Sequence, residues 1–177
     1  MDKIILGGGI ANTLIAAKGN EVGKSLVEES MLPEAAKLLK NPKIIVPHLV
    51  IVSDNPDNPG RLTSIDSIEK NEAIYDVSPE SYADLETILM NAGNILWNGP
   101  LVFFEKENFD KGTIKIAKMI CSSKAFSVAG GGDTIAAAQK AGVLGKLDYV
   151  STAGGAFLEF MEGRKLPGVE ALRDKVN

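Results

Sequence analysis

The chain has 177 residues, of which 45% are hydrophobic and 24% are charged, and its formal net charge is −4. This length and apolar content are sufficient for one domain with its own core and leave room for a short appendage. The acidic balance gives no indication of binding to nucleic acid or to an anionic membrane surface. The single cysteine, Cys121, excludes an internal disulfide and is typical of a reducing, cytoplasmic environment. No apolar run is long enough to span a bilayer, and the N-terminus does not resemble a signal peptide.

Apolar runs alternate with segments of helical periodicity, which predicts an α/β domain. The predicted strands are 3–6, 43–46, 49–52, 73–77, 94–98, 125–128 and 147–152. The predicted helices are 10–17, 27–40, 82–91, 109–120, 135–140, 157–161 and 169–176. Pro33 is expected in the first turn after a break in the second helix, and Asn108 is expected to cap the fourth.

The first strand runs into Gly7-Gly8-Gly9 and then into a helix. This is not the dinucleotide-binding fingerprint, because Asn12 stands where its third small residue would fall. Two interpretations stay open: a tight turn with close helix–strand packing, or a flat glycine surface for an adenine ring. The segment from Gly19 to Ser25 resembles a P-loop but has one residue too few between its glycines and follows a helix. It is interpreted as an ordinary loop.

The strand 94–98 ends in Gly99-Pro100 and is followed by an apolar loop that closes with Glu105. Ligands bind where the strands of open α/β sheets end, so Glu105 is a candidate acceptor for ribose hydroxyl groups. The alternative is a surface glutamate near the start of a helix.

The stretch from Ala129 to Thr134 contains three glycines between an apolar strand and an alanine-rich helix. Glycines at such a junction let backbone N–H groups approach an anion, and the helix start adds its own unpaired N–H groups. Asp133 would place a negative carboxylate beside this anion site. A divalent cation bound between the carboxylate and a phosphate explains that arrangement. Thr134 would cap the helix or donate to a phosphate oxygen. The alternative is a glycine-rich turn with Asp133 as an ordinary N-cap.

A third junction follows the strand 147–152, where Ala153-Gly154-Gly155-Ala156 leads into a helix. Three such junctions on one sheet would converge at one edge. The sequence therefore predicts a nucleotide site.

These motifs, in this order, resemble the C-terminal, nucleotide-binding half of phosphoglycerate kinase, from Lys3 to Lys175. The matching segments are 7–13, 96–100, 129–134, 151–159 and 166–170. The resemblance implies a three-layer α/β/α domain with an open, mostly parallel, Rossmann-like sheet over residues 1–165. It also implies a hinge or closing segment at 166–177. The chain departs from the family at Val102 and Phe103, where the family has glycine and a smaller residue.

The family transfers a phosphoryl group between 1,3-bisphosphoglycerate and ADP, giving 3-phosphoglycerate and ATP in cytoplasmic glycolysis. By resemblance, Asp133 holds Mg²⁺ and Glu105 holds the ribose. The backbone of Gly154 and Gly155 lies near the transferring phosphoryl group, with no certain catalytic side chain. The nucleotide-binding residues implied by the resemblance are Gly7, Gly8, Gly9, Asn98, Glu105, Gly131, Gly132, Asp133 and Thr134.

The sequence contains no counterpart of the family's N-terminal substrate half or of the first strand–loop–helix unit of the nucleotide half. We therefore expect weak Mg–nucleotide binding without catalysis by this chain alone. We also expect an exposed sheet edge that favours self-association. The alternative is a degenerate binding or interaction module whose glycine loops are scaffold only. A nicotinamide-binding domain is disfavoured by Asn12 and by the lack of an acidic ribose partner.

Overall fold

A computed structural model describes residues 1–82, 84–101 and 103–173. The strands are β1 (Ile4–Ile5), β2 (Ile44–Ile45), β3 (Leu49–Ser53), β4 (Arg61–Ser64), β5 (Ala73–Val77), β6 (Asn94–Asn98), β7 (Phe126–Gly130) and β8 (Tyr149–Ser151). The α-helices are α1 (Gly8–Ala17), α2 (Leu32–Leu38), α3 (Leu85–Met90), α4 (Lys111–Ser122), α5 (Gly132–Lys140), α6 (Gly154–Met161) and α7 (Pro167–Arg173). Short 3-10 turns occur at Glu29–Met31, Ile65–Ser67, Pro79–Ser81 and Leu144–Lys146.

The strands form three hydrogen-bonded groups. β1 pairs with β2 in parallel, and β6, β7 and β8 form a parallel sheet in that order. β3 pairs with β4 and β5 on its two sides, antiparallel to both. The predicted α/β class and the parallel pairing of the glycine-bearing strands are confirmed. The antiparallel sheet was not predicted, although strands were predicted at the positions of β3 and β5.

One buried core cluster joins the antiparallel strands β3 and β5 to the parallel strands β6 and β7 and to the helices packed on them. Alternate residues of β6 and β7 are buried, namely Ile95, Trp97, Ser127 and Ala129, as expected for strands that bury one face. Helix α4 contributes Ile116, Ala117 and Ile120 to the same core. Their spacing of three and four residues places them on one side of the helix.

The start of α4 differs from the sequence prediction. The helix begins at Lys111 after Asp110, and Asn108 is exposed in the preceding turn, so the predicted Asn108 cap is wrong. The helix is capped from another element: the buried Asp76 of β5 accepts hydrogen bonds from Gly112 N (2.8 Å) and Val77 N (2.8 Å). Burial, opposed by these bonds and aided by Asp110, raises the pKa of Asp76 to about 6.

Three further segments refine the prediction. The predicted helix 27–40 is a 3-10 turn followed by α2, with Pro33 in the first turn of α2 as expected. The P-loop-like segment is a loop: Gly23, at φ 55°, packs so closely on the 69–72 turn that a Cβ would lie 2.1 Å from Glu72 O. α7 buries none of its residues. Residues 174–176 of its predicted extent lie outside the described residues.

Candidate functional site

The glycine junctions after β7 and β8 meet each other. Gly131 has φ 95°, and its N–H donates to Ser151 O at 3.1 Å. A Cβ built on Gly131 would lie 3.7 Å from the Cα of Gly154. Because parallel neighbouring strands end at the same edge, both junctions present their backbone at one place.

Two helices begin at this place. α5 starts at Gly132 and α6 starts at Gly154, and neither start has a side-chain cap. Gly132 and Gly155 are exposed, and a Cβ on either would meet no atom within 4 Å. The first N–H groups of a helix lack partners within the helix, so these two starts form an environment suited to an anion.

Gly130 behaves differently from its neighbours. The Phe157 ring covers it so closely that a Cβ there would lie 2.3 Å from Phe157 Cδ1. This glycine is needed for packing between β7 and α6, whereas the backbone at Gly132 and Gly155 stays open.

Asp133 lies in the first turn of α5 with its side chain exposed. Within the described residues, no group of three or more His, Cys, Asp or Glu side chains could hold a metal ion. A single carboxylate does fit Mg²⁺ bound to a nucleotide, because Mg²⁺ commonly takes one or two protein carboxylates plus phosphate oxygens and water.

Thr134 and Asn98 connect the ends of β6 and β7. The buried Thr134 hydroxyl donates to Gly130 O at 2.6 Å and accepts from Gly99 N at 2.7 Å. The Asn98 amide donates to Gly130 O at 2.9 Å. Since a hydroxyl has one proton, that of Thr134 is directed at the backbone in this conformation and away from any ligand.

The first glycine junction belongs to a different sheet, because β1 pairs with β2 and not with β6. It reaches the site through the loop after β6: a Cβ on Gly7 would lie 2.8 Å from Leu101 Cδ2, and one on Gly8 would lie 3.3 Å from Leu101 O. The prediction that all three junctions lie on one sheet is therefore corrected. Two do, and the third borders them through Leu101.

Gly9 opens onto a cavity of about 510 Å³ between α1 and α2. Its walls are mostly apolar, and the volume lies within the range of small-molecule sites. The lining residues are Gly9, Ile10, Thr13, Leu14, Leu26, Val27, Glu28, Met31, Ala35 and Leu38. The Thr13 hydroxyl donates to Gly9 O (2.8 Å) and accepts from Glu28 N (3.1 Å), so it holds the cavity wall together.

Glu105 is exposed in the turn that precedes α4. Lys140, at the end of α5, donates to Phe104 O at 2.7 Å and approaches Glu105 O at 3.4 Å. Phe103 lies 5.9 Å from Tyr75 between ring centroids, and its N–H donates to Tyr75 O. The departure from the family pattern at Phe103 thus places a ring against β5, while Val102 lies outside the described residues.

Sequence reasoning missed Leu26 and Lys140. Leu26 is 79% exposed, and its Cδ2 would lie 3.4 Å from a Cβ built on Gly9, but it directly follows the P-loop-like segment that was interpreted as an ordinary loop. Lys140 is separated by more than thirty residues from the loop that it contacts. Long-range contacts of this kind produce no local pattern in the sequence. The glycines at 7–9 were the one sequence feature that pointed to the cavity.

The family model described as phosphoglycerate kinase matches residues 1–164. The structure of phosphoglycerate kinase from Coxiella burnetii is 42% identical, with a TM-score of 0.91, and the match covers 100% of this chain and 47% of that one. The crystal structure of the phosphoglycerate kinase from Pyrococcus horikoshii OT3 is 34% identical, with a TM-score of 0.82, covering 97% and 45%.

The chain thus spans somewhat less than half the length of these two solved relatives. Among the described residues, no helix has the length and apolar character needed to cross a membrane. The predicted resemblance is confirmed by sequence and by structure: the chain belongs to the phosphoglycerate kinase family.

Proposed function

We propose that this chain binds Mg–ADP and Mg–ATP and supplies the nucleotide-binding half of a phosphoglycerate kinase. In that reaction a phosphoryl group moves between 1,3-bisphosphoglycerate and ADP, giving 3-phosphoglycerate and ATP. The observation that carries the proposal is the meeting of the Gly131 and Gly154 junctions at the uncapped starts of α5 and α6. The glycolytic role implies a cytoplasmic location.

The phosphate groups would lie against the half-buried Gly131 and the exposed backbone of Gly132, with Gly154 and Gly155 near the group in transfer. Asp133 would hold Mg²⁺, which neutralises charge on the phosphate oxygens. Thr134 and Asn98 would keep this edge of the sheet in shape. Backbone N–H groups fixed by two helix starts need no reorganisation, which is the property that electrostatic stabilisation of a charged transition state requires.

The base would occupy the apolar cavity beside Gly9, with Gly7 and Gly8 along its border and Glu105 on the ribose hydroxyls. The cavity volume of about 510 Å³ suits a purine ring. The acyl-phosphate substrate would bind to the remaining part of a full-length kinase, so we expect the 177 residues alone to bind nucleotide without turnover.

Isothermal titration calorimetry with ADP, with and without Mg²⁺, tests the proposal. We expect saturable binding that requires Mg²⁺ and weakens about tenfold or more in Asp133→Asn, because that variant loses a carboxylate ligand of the cation. Glu86→Gln is the matched control, since it removes an exposed carboxylate on α3, outside the glycine junctions.

Absence of heat at millimolar nucleotide would contradict the proposal and favour an interaction module with a glycine-rich scaffold. Equal weakening in Asp133→Asn and Glu86→Gln would contradict the assignment of the cation to Asp133. Turnover by the 177 residues alone, measured by coupled ATP formation, would refute the expectation of binding without catalysis.

A further inference from the structure

We propose that Lys140 is a positioning residue for ribose recognition, acting through the loop that carries Glu105. The inference rests on the proposed function, because it assumes that Glu105 accepts hydrogen bonds from the ribose. Lys140 would not contact the nucleotide itself.

The Lys140 ammonium group joins three parts of the fold. It donates to the carbonyl oxygen of Phe104 at 2.7 Å, approaches that of Glu105 at 3.4 Å, and lies 2.9 Å from Asp110 Oδ2. The side chain of Lys140 is 30% exposed and that of Asp110 is 11% exposed. Asp110 is therefore buried while Lys140 stays partly exposed, and an ammonium group has three donors for these three oxygens.

These contacts fix the backbone on which Glu105 is mounted. Glu105 itself is exposed, and its long side chain would otherwise have to be ordered by the ligand at an entropic cost. Because Lys140 holds the carbonyl oxygens of residues 104 and 105, their backbone is already ordered before the ligand binds, and the entropic cost of binding is lower. The expected consequence is tighter binding of nucleotides that carry ribose hydroxyls, and of those alone.

Helix α5 adds a geometric reason. Asp133 lies in its first turn and Lys140 in its last, about 10 Å apart at 1.5 Å per residue. The same rigid helix thus presents the cation site at one end and anchors the Glu105 loop at the other. Phosphate and ribose recognition are coupled through this helix.

The test compares ADP with 2′,3′-dideoxy-ADP, both with Mg²⁺, by calorimetry on the full chain. The original protein should prefer ADP by about tenfold, since a hydrogen bond to a charged group contributes that much or more. Lys140→Met should reduce this preference to about threefold or less. The affinity for 2′,3′-dideoxy-ADP should stay nearly unchanged, whereas a purely structural defect would weaken both ligands.

Two further variants keep the result interpretable. Lys140→Met/Asp110→Asn removes both charges, so no buried carboxylate is left unpaired and the fold is less affected. Lys124→Met removes an exposed lysine before β7 and should leave the preference intact. Circular dichroism and thermal unfolding verify the folded state of each variant.

The outcomes distinguish the positioning role of Lys140 from the proposed nucleotide binding. Loss of the ADP preference in both Lys140 variants supports the positioning role. Retention of the preference in either variant overturns it, as does an original protein that binds both nucleotides equally. No binding of either nucleotide by the original protein would refute the proposed function itself.

Discussion

Asp76 makes the stability of this domain depend on pH in a direction opposite to that of most carboxylates. Asp76 is 2% exposed on β5, and its carboxylate accepts hydrogen bonds from two backbone N–H groups, one of them at the start of α4. Burial raises its pKa from 3.8 to about 6. Replacing it with Asn removes the titration and keeps a side chain of the same shape.

The sign follows from proton linkage. Between the unfolded pKa of 3.8 and the folded pKa of about 6, the folded state binds more protons than the unfolded state. The stabilisation is therefore complete below the lower pKa and is lost as the pH rises through the upper one. The pKa difference of about 2.2 corresponds to about 3 kcal/mol at 1.36 kcal/mol per pKa unit, of which about 1.4 kcal/mol falls between about pH 5 and pH 7.

Urea unfolding at a series of pH values measures this effect. The free energy of unfolding of the original protein should fall by about 1.4 kcal/mol more than that of Asp76→Asn between about pH 5 and pH 7. Glu80→Gln is the control: Lys115 beside the exposed Glu80 lowers its pKa to about 2, so it titrates outside this range. An Asp76→Asn protein with the same pH slope as the original would refute the reasoning.

Gly23→Ala should lower the free energy of unfolding by about 2 kcal/mol or more, because Gly23 has φ 55° and an added Cβ would collide with Glu72 O. Gly19→Ala is the control: its φ is 95° but the space around it is open, so the loss should be about 1 kcal/mol, measured by urea unfolding. A similar loss in both variants would contradict the packing argument. Gly7→Ala should displace Leu101 and weaken ADP binding while leaving Mg–pyrophosphate binding unchanged in calorimetry, and equal losses would contradict it. Among the described strands β6 pairs only with β7, so one edge of this sheet is open and self-association through it is expected. Sedimentation velocity from micromolar to millimolar protein should show this association, and a monomer at every concentration would contradict it.

Local patterns were sufficient for most elements of the fold. The strands that carry the glycine junctions are short apolar runs followed by glycine, and each was found within a few residues of its observed bounds. The start of α4 was missed because its cap is Asp76, more than thirty residues earlier in the chain. A local capping rule applied to the predicted start at residue 109 selects the residue before it, Asn108, and contains no information about a neighbouring strand.

The sequence predicted the glycine backbone of the candidate site but not the side chains around it. Glycine after a parallel strand is visible in the sequence, and Gly131 and Gly154 do meet. The cavity wall at Leu26 was not predictable, because a leucine after a polar loop is compatible with many environments. The burial of the Thr134 hydroxyl could not be predicted from the sequence either, because its partner Gly99 follows a different strand.

The arrangement of the sheets has a consequence for how a nucleotide would be held. The cavity beside Gly9 and the junctions after β7 and β8 belong to sheets that share no ladder within the described strands. They are joined by the packing of Leu101 on Gly7 and by the bond from Tyr82 Oη to Leu6 O (2.8 Å). Leu101 is itself fixed, because its N–H donates to Thr113 Oγ1 of α4 at 3.1 Å. Side-chain contacts of this kind yield more easily than a hydrogen-bonded ladder. In the proposed binding mode, the base and the phosphates would be recognised by two sheets that Leu101 helps to hold together. The phosphate side should therefore tolerate substitutions in the β1–β2 sheet better than the base side does.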